Sequence, residues 1–541
     1  MENGSLDKKR AADFDPLDMH QYRIEKLPKR KKSGFEKALM LIGPILALAS
    51  FLVLGFFVHL PFLQDIDPSG LVSEEARKAF DKLGPEGFIR SNELMLAIFI
   101  ASIILWITEA IPNYLTSLII IAGLVLSGVL GEKEAYAQLG HPVMWLNIMS
   151  FVLASMLVAT GVAKRFALWF ILRFGKNAGT IFISFLIINA VLSAFISATT
   201  AKAAILLPIF MVIAAIYGAR GGEQRNNFGR SIVLQNLFYI NIGASGFLTG
   251  SGANLLAAAL ITGAIGGNIF FSDWMMAMFP MMLTMMLIGY ILAMKVFFPL
   301  SPGERLPSIA GGMSRLREEF EKLGSIKPAE IKAVIIFLLI LVFWSTDSLH
   351  GISPTAVAFV GAIMALLPRI GIVSWNEVDI PWHLMLFSAG AYTLGAGFSA
   401  TDLPSIGVNA FFDHLGITRE THFWVLYLML TGVMVFSALI FQSKTMRAMI
   451  FVPIAIGVAT RFGYEVISLA LPVAFMIEHV YVLPFNSKPA ALIYETDHYN
   501  LSDTFRYGFT LMFIAWLLII LAGETWFRYL GITPDGVFGI F

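Results

Sequence analysis

The chain has 541 residues, 57% of them hydrophobic and only 14% charged, with a formal net charge of +1 and no cysteine. A soluble protein carries roughly 25% charged residues, so a soluble globular class is excluded, and a balanced charge offers no footing for nucleic acid. Without cysteine there are no disulfides, no thiol catalysis and no cysteine metal sites.

Many apolar runs approach about 20 residues, the length at which a helix crosses about 30 Å of hydrocarbon. A transmembrane barrel would show short alternating strands instead. The class is an all-α polytopic membrane protein whose medium is the lipid bilayer. Residues 1–37 form a basic tail containing KLPKRKK and no small-residue cleavage site. That pattern implies a cytoplasmic tail and not a signal peptide. Residues 38–91 supply a first span, 38–60, and an external loop. Further spans are expected at 93–111, 114–131, 143–162, 231–263, 275–299, 330–349, 353–369, 381–399, 463–495 and 506–529. Loops 163–180, 218–230 and 300–329 are rich in Lys and Arg and belong inside. The stretch SRLREEFEKL, 314–323, is expected as a solvated amphipathic helix on that side. Residues 532–541 are expected outside.

Two apolar segments, 180–217 and 422–460, preserve sidedness only if each returns to its own side. Each is either a pair of full spans or a re-entrant hairpin. The arms after Lys202 and Arg447 run roughly 13–17 residues, short for a span, and the tips SATTAK and QSKTMR lack turn-forming Gly and Pro. Re-entrant hairpins fit better.

The two segments also match each other. TTAKAAILLP, 199–208, aligns with KTMRAMIFVP, 444–453, placing Thr200 on Thr445, Lys202 on Arg447 and Pro208 on Pro453. A second pair, GSGANLLAA at 250–258 and NSKPAALIY at 486–494, places Ser251 on Ser487. Both interrupt long apolar segments, 231–263 and 463–495. Broken backbone at membrane depth is tolerated only where protein buries it or a cavity lines it, and paired interruptions point to a transporter's midplane site. The halves are 92–300 and 330–531, joined by a linker at 301–329. Each holds five crossings and one hairpin, and the odd count makes the repeat inverted.

With those motifs in place, the sequence resembles the divalent-anion:sodium symporters, which carry citrate, succinate, other dicarboxylates or sulfate. WITEAIPNYLTSL at 106–118, IPWHLMLFSAGAYTLG at 380–395, the paired hairpin tips and the two helix breaks carry the likeness over about residues 38–531. The resemblance implies eleven spans plus two re-entrant hairpins, a homodimer and an elevator-type motion. It also implies two sodium ions held by tips and breaks in coupled members, and tip Asn and Thr side chains on the substrate carboxylates.

This sequence departs from the family at those positions. The first tip reads Ser197-Ala198-Thr199-Thr200, without Asn, and the second Ser443-Lys444-Thr445. The small residue two past each Thr is Lys202 or Arg447, the second break carries Lys488, and the first keeps Asn254. A buried ammonium or guanidinium supplies charge where sodium would sit but repels the ion, since hard cations take oxygen ligands. Fixed cations are therefore expected to replace sodium, with no sodium requirement, no metal site and no other cofactor. An empty site would keep unpaired charges at several kcal/mol per ion, which favours obligatory exchange over symport. Arg447 is expected to grip a carboxylate through two parallel bonds. Ser197, Thr199, Thr200, Ser251, Asn254, Ser443, Thr445 and Ser487 would add neutral donors around small dicarboxylate anions.

Alternatives stand beside this. Glu478 would neutralise one cation, Lys488 first, and Lys488 could instead snorkel. A deprotonated lysine would allow proton coupling. His479 reads more readily as a packed residue than as a proton relay, and Glu109 as structural. A sodium- or proton-coupled symporter is the near alternative; a channel or uniporter is the different-class one. No HExxH, Walker-type or Gly-rich nucleotide motif occurs, and no nucleophile–base constellation points to an enzyme.

Overall fold

The computed structural model describes residues 15–22, 34–64, 66–267, 269–309, 312–414, 421–441, 443–484 and 486–540. The tail motif KLPKRKK lies outside the described residues. Among the described residues every regular element is helical, and eight helices are long and apolar enough to cross a membrane. The first, Gly34–Leu52, continues through a π-turn at Val53–Phe57. The next, Glu74–Thr108, starts inside the expected external loop and bends at Gly84 (φ 70°, ψ 174°) before Pro85. Only glycine holds that backbone without strain, and proline cannot donate to the preceding turn. Glu109 closes this helix in the left-handed region at φ 45°, which fits its structural reading.

Helices lie where spans are expected, with trimmed ends: Asn113–Leu126, Pro142–Thr160, Asn227–Ser245 with Gly252–Ile265, Phe271–Leu292, Pro328–Ser345, Pro354–Leu366, Trp382–Thr401, Val466–Phe475 with Lys488–Tyr494, and Leu501–Glu524. Proline at the first position starts the helices at Pro142, Pro328 and Pro354, where its missing N–H costs nothing. The linker helix is Gly312–Glu321; its Leu316 is buried and it packs on Val162–Phe174 and Thr199–Ile216. It is therefore held on one face rather than solvated all round. The short turn Met19–Tyr22 also packs on Thr199–Ile216, with Met19 and Tyr22 buried.

Packing between the halves is reciprocal. Asn113–Leu126 packs on Trp382–Thr401, and Pro142–Thr160 on Pro354–Leu366. Gly252–Ile265 packs on Lys444–Phe462, and Lys488–Tyr494 on Thr199–Ile216. In each of these two pairs of contacts, the second is the first with the halves exchanged, as a pseudo-two-fold arrangement requires. The first contact is close: a Cβ on Gly390 would fall 2.3 Å from the Cβ of Ser117, whose hydroxyl donates to the Phe387 carbonyl at 3.2 Å.

The C-terminal segment folds back on a buried carboxylate. Glu524 accepts N–H groups from Val537 and Phe538 at 2.6 Å and from Ile540 at 2.7 Å. Glu524→Ala leaves these donors without that acceptor, at about 1–3 kcal/mol each where buried. The variant should lose thermal stability in detergent and expose residues 532–540 to protease; wild-type behaviour in both assays would show that the tail is held by its apolar contacts alone.

Candidate functional site

The first two-armed segment turns at a buried or half-buried tip, whereas the second turn carries the exposed Ile440. The first consists of Ala178–Phe195 and Thr199–Ile216, the second of Phe423–Phe436, the short turn Ser437–Leu439 and Lys444–Phe462. The second arms have 18 and 19 residues, longer than expected, so length alone does not decide between hairpin and span pair. Burial bears on it more directly. Ile196 and Ser197, at the first turn, are 0% and 6% exposed, whereas a loop joining two full spans would meet water. The second arms start at the aligned positions Thr199 and Lys444, and Pro208 and Pro453 fall at the same point within them.

The aligned cations cross the necks of these turns. Lys202 is fully buried and its Nζ donates to Ser193 Oγ at 2.8 Å. Ser193 is wedged against Gly243, where a Cβ would come within 2.5 Å of its hydroxyl. Arg447, also fully buried, donates from Nε to Ser437 Oγ at 2.9 Å, from Nη1 to the Ile477 carbonyl at 3.1 Å, and from Nη2 to the carbonyls of Met434 and, at 3.2 Å, Met476. This corrects the expected bidentate grip on a substrate carboxylate. The guanidinium is engaged with carbonyls at the neck of the second turn and in the second helix break.

The breaks are built alike. Ser251 and Ser487 cap the following helices in nearly identical extended backbone, φ −157°, ψ 157° and φ −153°, ψ 158°, each hydroxyl accepting an N–H three residues on at 3.2 Å. Ser443 caps Lys444–Phe462 in the same way, from Met446 N at 3.4 Å, while Ala198 has no side chain for that task. Asn254 does not present its amide as a free donor. Its Nδ2 donates to Ala244 O at 2.8 Å and Phe247 O at 3.1 Å, tying the first break together. Asn486 ties the second break to the hairpin, donating to Ala438 O at 2.6 Å.

One carboxylate joins the two halves. Glu478, fully buried at the start of the second break, accepts from Lys444 Nζ at 2.8 Å and from the hydroxyl of Ser251. The expected pairing of Glu478 with Lys488 is thus replaced by pairing with Lys444. Lys488 is exposed and stands apart from this cluster, and Ser487 is half-buried beside it. Lys202 lies within electrostatic reach of both Lys444 and Glu478, and Arg447 within reach of Glu478. Thr200 and Thr445 are half-buried at aligned places, and Thr199 is buried. His479 is fully buried with Nδ1 2.7 Å from the Tyr481 hydroxyl, a packed arrangement.

A second polar grouping was not anticipated. The hydroxyls of Ser150, Ser197 and Thr249 are buried without hydrogen-bond partners and line one small cavity with Leu153, Ala194, Phe337 and Trp344. Among the described residues no cluster of His, Asp or Glu could hold a metal.

A family model, the sodium:sulfate symporter transmembrane region, matches residues 84–533. The chain belongs to this family. It is therefore a multi-pass membrane transporter and not an enzyme. It has relatives along most of its length. A sodium-dependent dicarboxylate transporter of Staphylococcus saprophyticus is 26% identical over 81% of this chain and 86% of its own. One of Staphylococcus aureus is 24% identical over 93% and 95%. Among solved structures, the Neisseria gonorrhoeae MtrF efflux pump aligns over 92% of this chain and 96% of its own, with a TM-score of 0.50 and 16% identity. That likeness concerns the fold alone.

Removing the Arg447 guanidinium should act first on stability. Arg447→Met strands several buried carbonyls and should cost more than about 2 kcal/mol, read as a lower thermal midpoint of the purified protein. Arg447→Lys should recover only part, since an ammonium offers three donors in place of five. Full stability with loss of transport alone would make the guanidinium a substrate ligand after all.

Proposed function

We propose that this family member exchanges divalent organic anions, dicarboxylates such as succinate, malate or 2-oxoglutarate, across the cytoplasmic membrane without sodium. The names of the staphylococcal relatives support the substrate class. The observation that carries exchange is the buried charge. Lys202 and Arg447, fully buried, and Lys444, half-buried, set against the carboxylate of Glu478 leave two positive charges uncancelled, the charge that one dicarboxylate brings. Loaded, the site is balanced. Empty, it holds uncompensated charge in a low-dielectric interior at several kcal/mol per ion. Return with another anion bound is the cheaper path. In this reading the hairpins are re-entrant, the N-terminus is inside and the C-terminus outside. A homodimeric, elevator-type carrier then moves the site between faces.

A second reading rests on the cavity lined by Ser150, Ser197 and Thr249. Three unpartnered neutral oxygens suit a hard cation, and the staphylococcal relatives are named as sodium-dependent. This reading is sodium-coupled symport.

Proteoliposomes separate the two. Labelled succinate uptake in sodium-free buffer should require internal dicarboxylate. Uptake that needs sodium and ignores the internal anion would establish symport. Uptake that needs neither would indicate a uniporter or channel.

A further inference from the structure

Glu478 is the only carboxylate among the described residues that pairs with a cation of the two turns, Lys444, and the exchange scheme uses it only as one charge in a sum. It is fully buried, it faces Lys444 across 2.8 Å, and it takes the Ser251 hydroxyl from the other half. Charge at this place weighs heavily. A unit charge within several ångströms of a bound anion, in a medium of effective dielectric about 20, alters its binding by at least about tenfold. The other polar partners of the cluster are neutral: Ser193 on Lys202, and Ser437 with backbone carbonyls on Arg447. Hydroxyls and carbonyls satisfy the donors of a cation without cancelling its charge. Among the described residues Glu478 therefore supplies the one negative charge paired with these cations.

We propose that Glu478 is a specificity-determining residue that sets the valence of the transported anion. By cancelling one of three cations it leaves room for two negative charges, not three. It need not touch the substrate; its action is through the sum of charge that the anion must balance. Lys488 does not enter this sum, being exposed and outside the cluster. His479, next in the chain, is bonded to Tyr481, and carboxylate substrates are ionised at about pH 7. The inference rests on reading this cluster as the anion site. It holds for exchange and for symport alike, so its failure is separable from theirs.

The test compares transport of a dicarboxylate with that of a tricarboxylate, both labelled, in proteoliposomes at about pH 7. Each is run in whichever mode, with trans anion or with sodium, supports transport. The wild-type protein should prefer the dicarboxylate by at least about tenfold; equal rates would overturn the proposal without any variant. Glu478→Gln should raise the tricarboxylate-to-dicarboxylate ratio by at least about tenfold, and an unchanged ratio would overturn it. The double variant Lys444→Met with Glu478→Gln removes both members of the pair and restores the sum. Its total rate should fall while the ratio returns to the wild-type side. A double variant as shifted as Glu478→Gln alone would mean that contact and not total charge decides, and would also overturn the proposal. Should Glu478→Gln fail to fold, the wild-type ratio and the double variant still decide.

Discussion

A polar group inside an apolar protein must find its partner within the protein, and this constraint organises the whole central region. Broken helices and turned tips leave N–H and C=O groups that lipid cannot satisfy. Each interruption here carries its own remedy. Serine caps follow both breaks, Asn254 spans the first, and Asn486 and Arg447 tie the second to the hairpin beside it. Charge enters the interior on the same terms. Lys202 and Arg447 do not float in a pocket; they are anchored to the arm that precedes them.

The same constraint accounts for the difference between the repeats. The first break is short, from Gly246 to Ser251, and one asparagine amide closes it. A single ammonium bond to Ser193 is then enough at the first neck. The second break is longer, running from the short turn Met476–Glu478 to Ser487. It leaves the carbonyls of Met476 and Ile477 facing the second neck, and a forked guanidinium can serve both and still reach Ser437 and Met434. Arginine in one repeat and lysine in the other follow from how many carbonyls each neck must satisfy.

Much of this was legible in the sequence. Proline, cation and threonine at one spacing, twice, put the second arms after Lys202 and Arg447; the helices start three residues before these cations, at Thr199 and Lys444, because helix starts and caps depend on local chemistry. The matched serines likewise took matching backbone. What stayed hidden were the partners. Glu478 and Lys488 are close in the chain, whereas Lys444 is 34 residues away, and in irregular backbone no period tells where a side chain points. The carbonyls that hold Arg447 left no mark, since every residue has one. Ser193 and Ser437, placed nine and ten residues before the cations they hold, stood among other hydroxyls and were not marked out. The unpartnered hydroxyls of Ser150 and Thr249 come from elements far apart in the chain, and only folding brings them to Ser197.

Ser251 shows how closely the two halves depend on each other. Its oxygen accepts the Asn254 N–H, which starts the helix Gly252–Ile265, and its single proton goes to Glu478 of the other half. A hydroxyl has one donor. The same proton cannot serve Glu478 and an incoming carboxylate at once. An anion that takes Ser251 must therefore release Glu478 from it, while Glu478 keeps Lys444. The helix cap survives the exchange, because the oxygen lone pair that accepts from Asn254 is untouched. An anion bound at Ser251 would thus loosen the contact between the halves without unwinding either break.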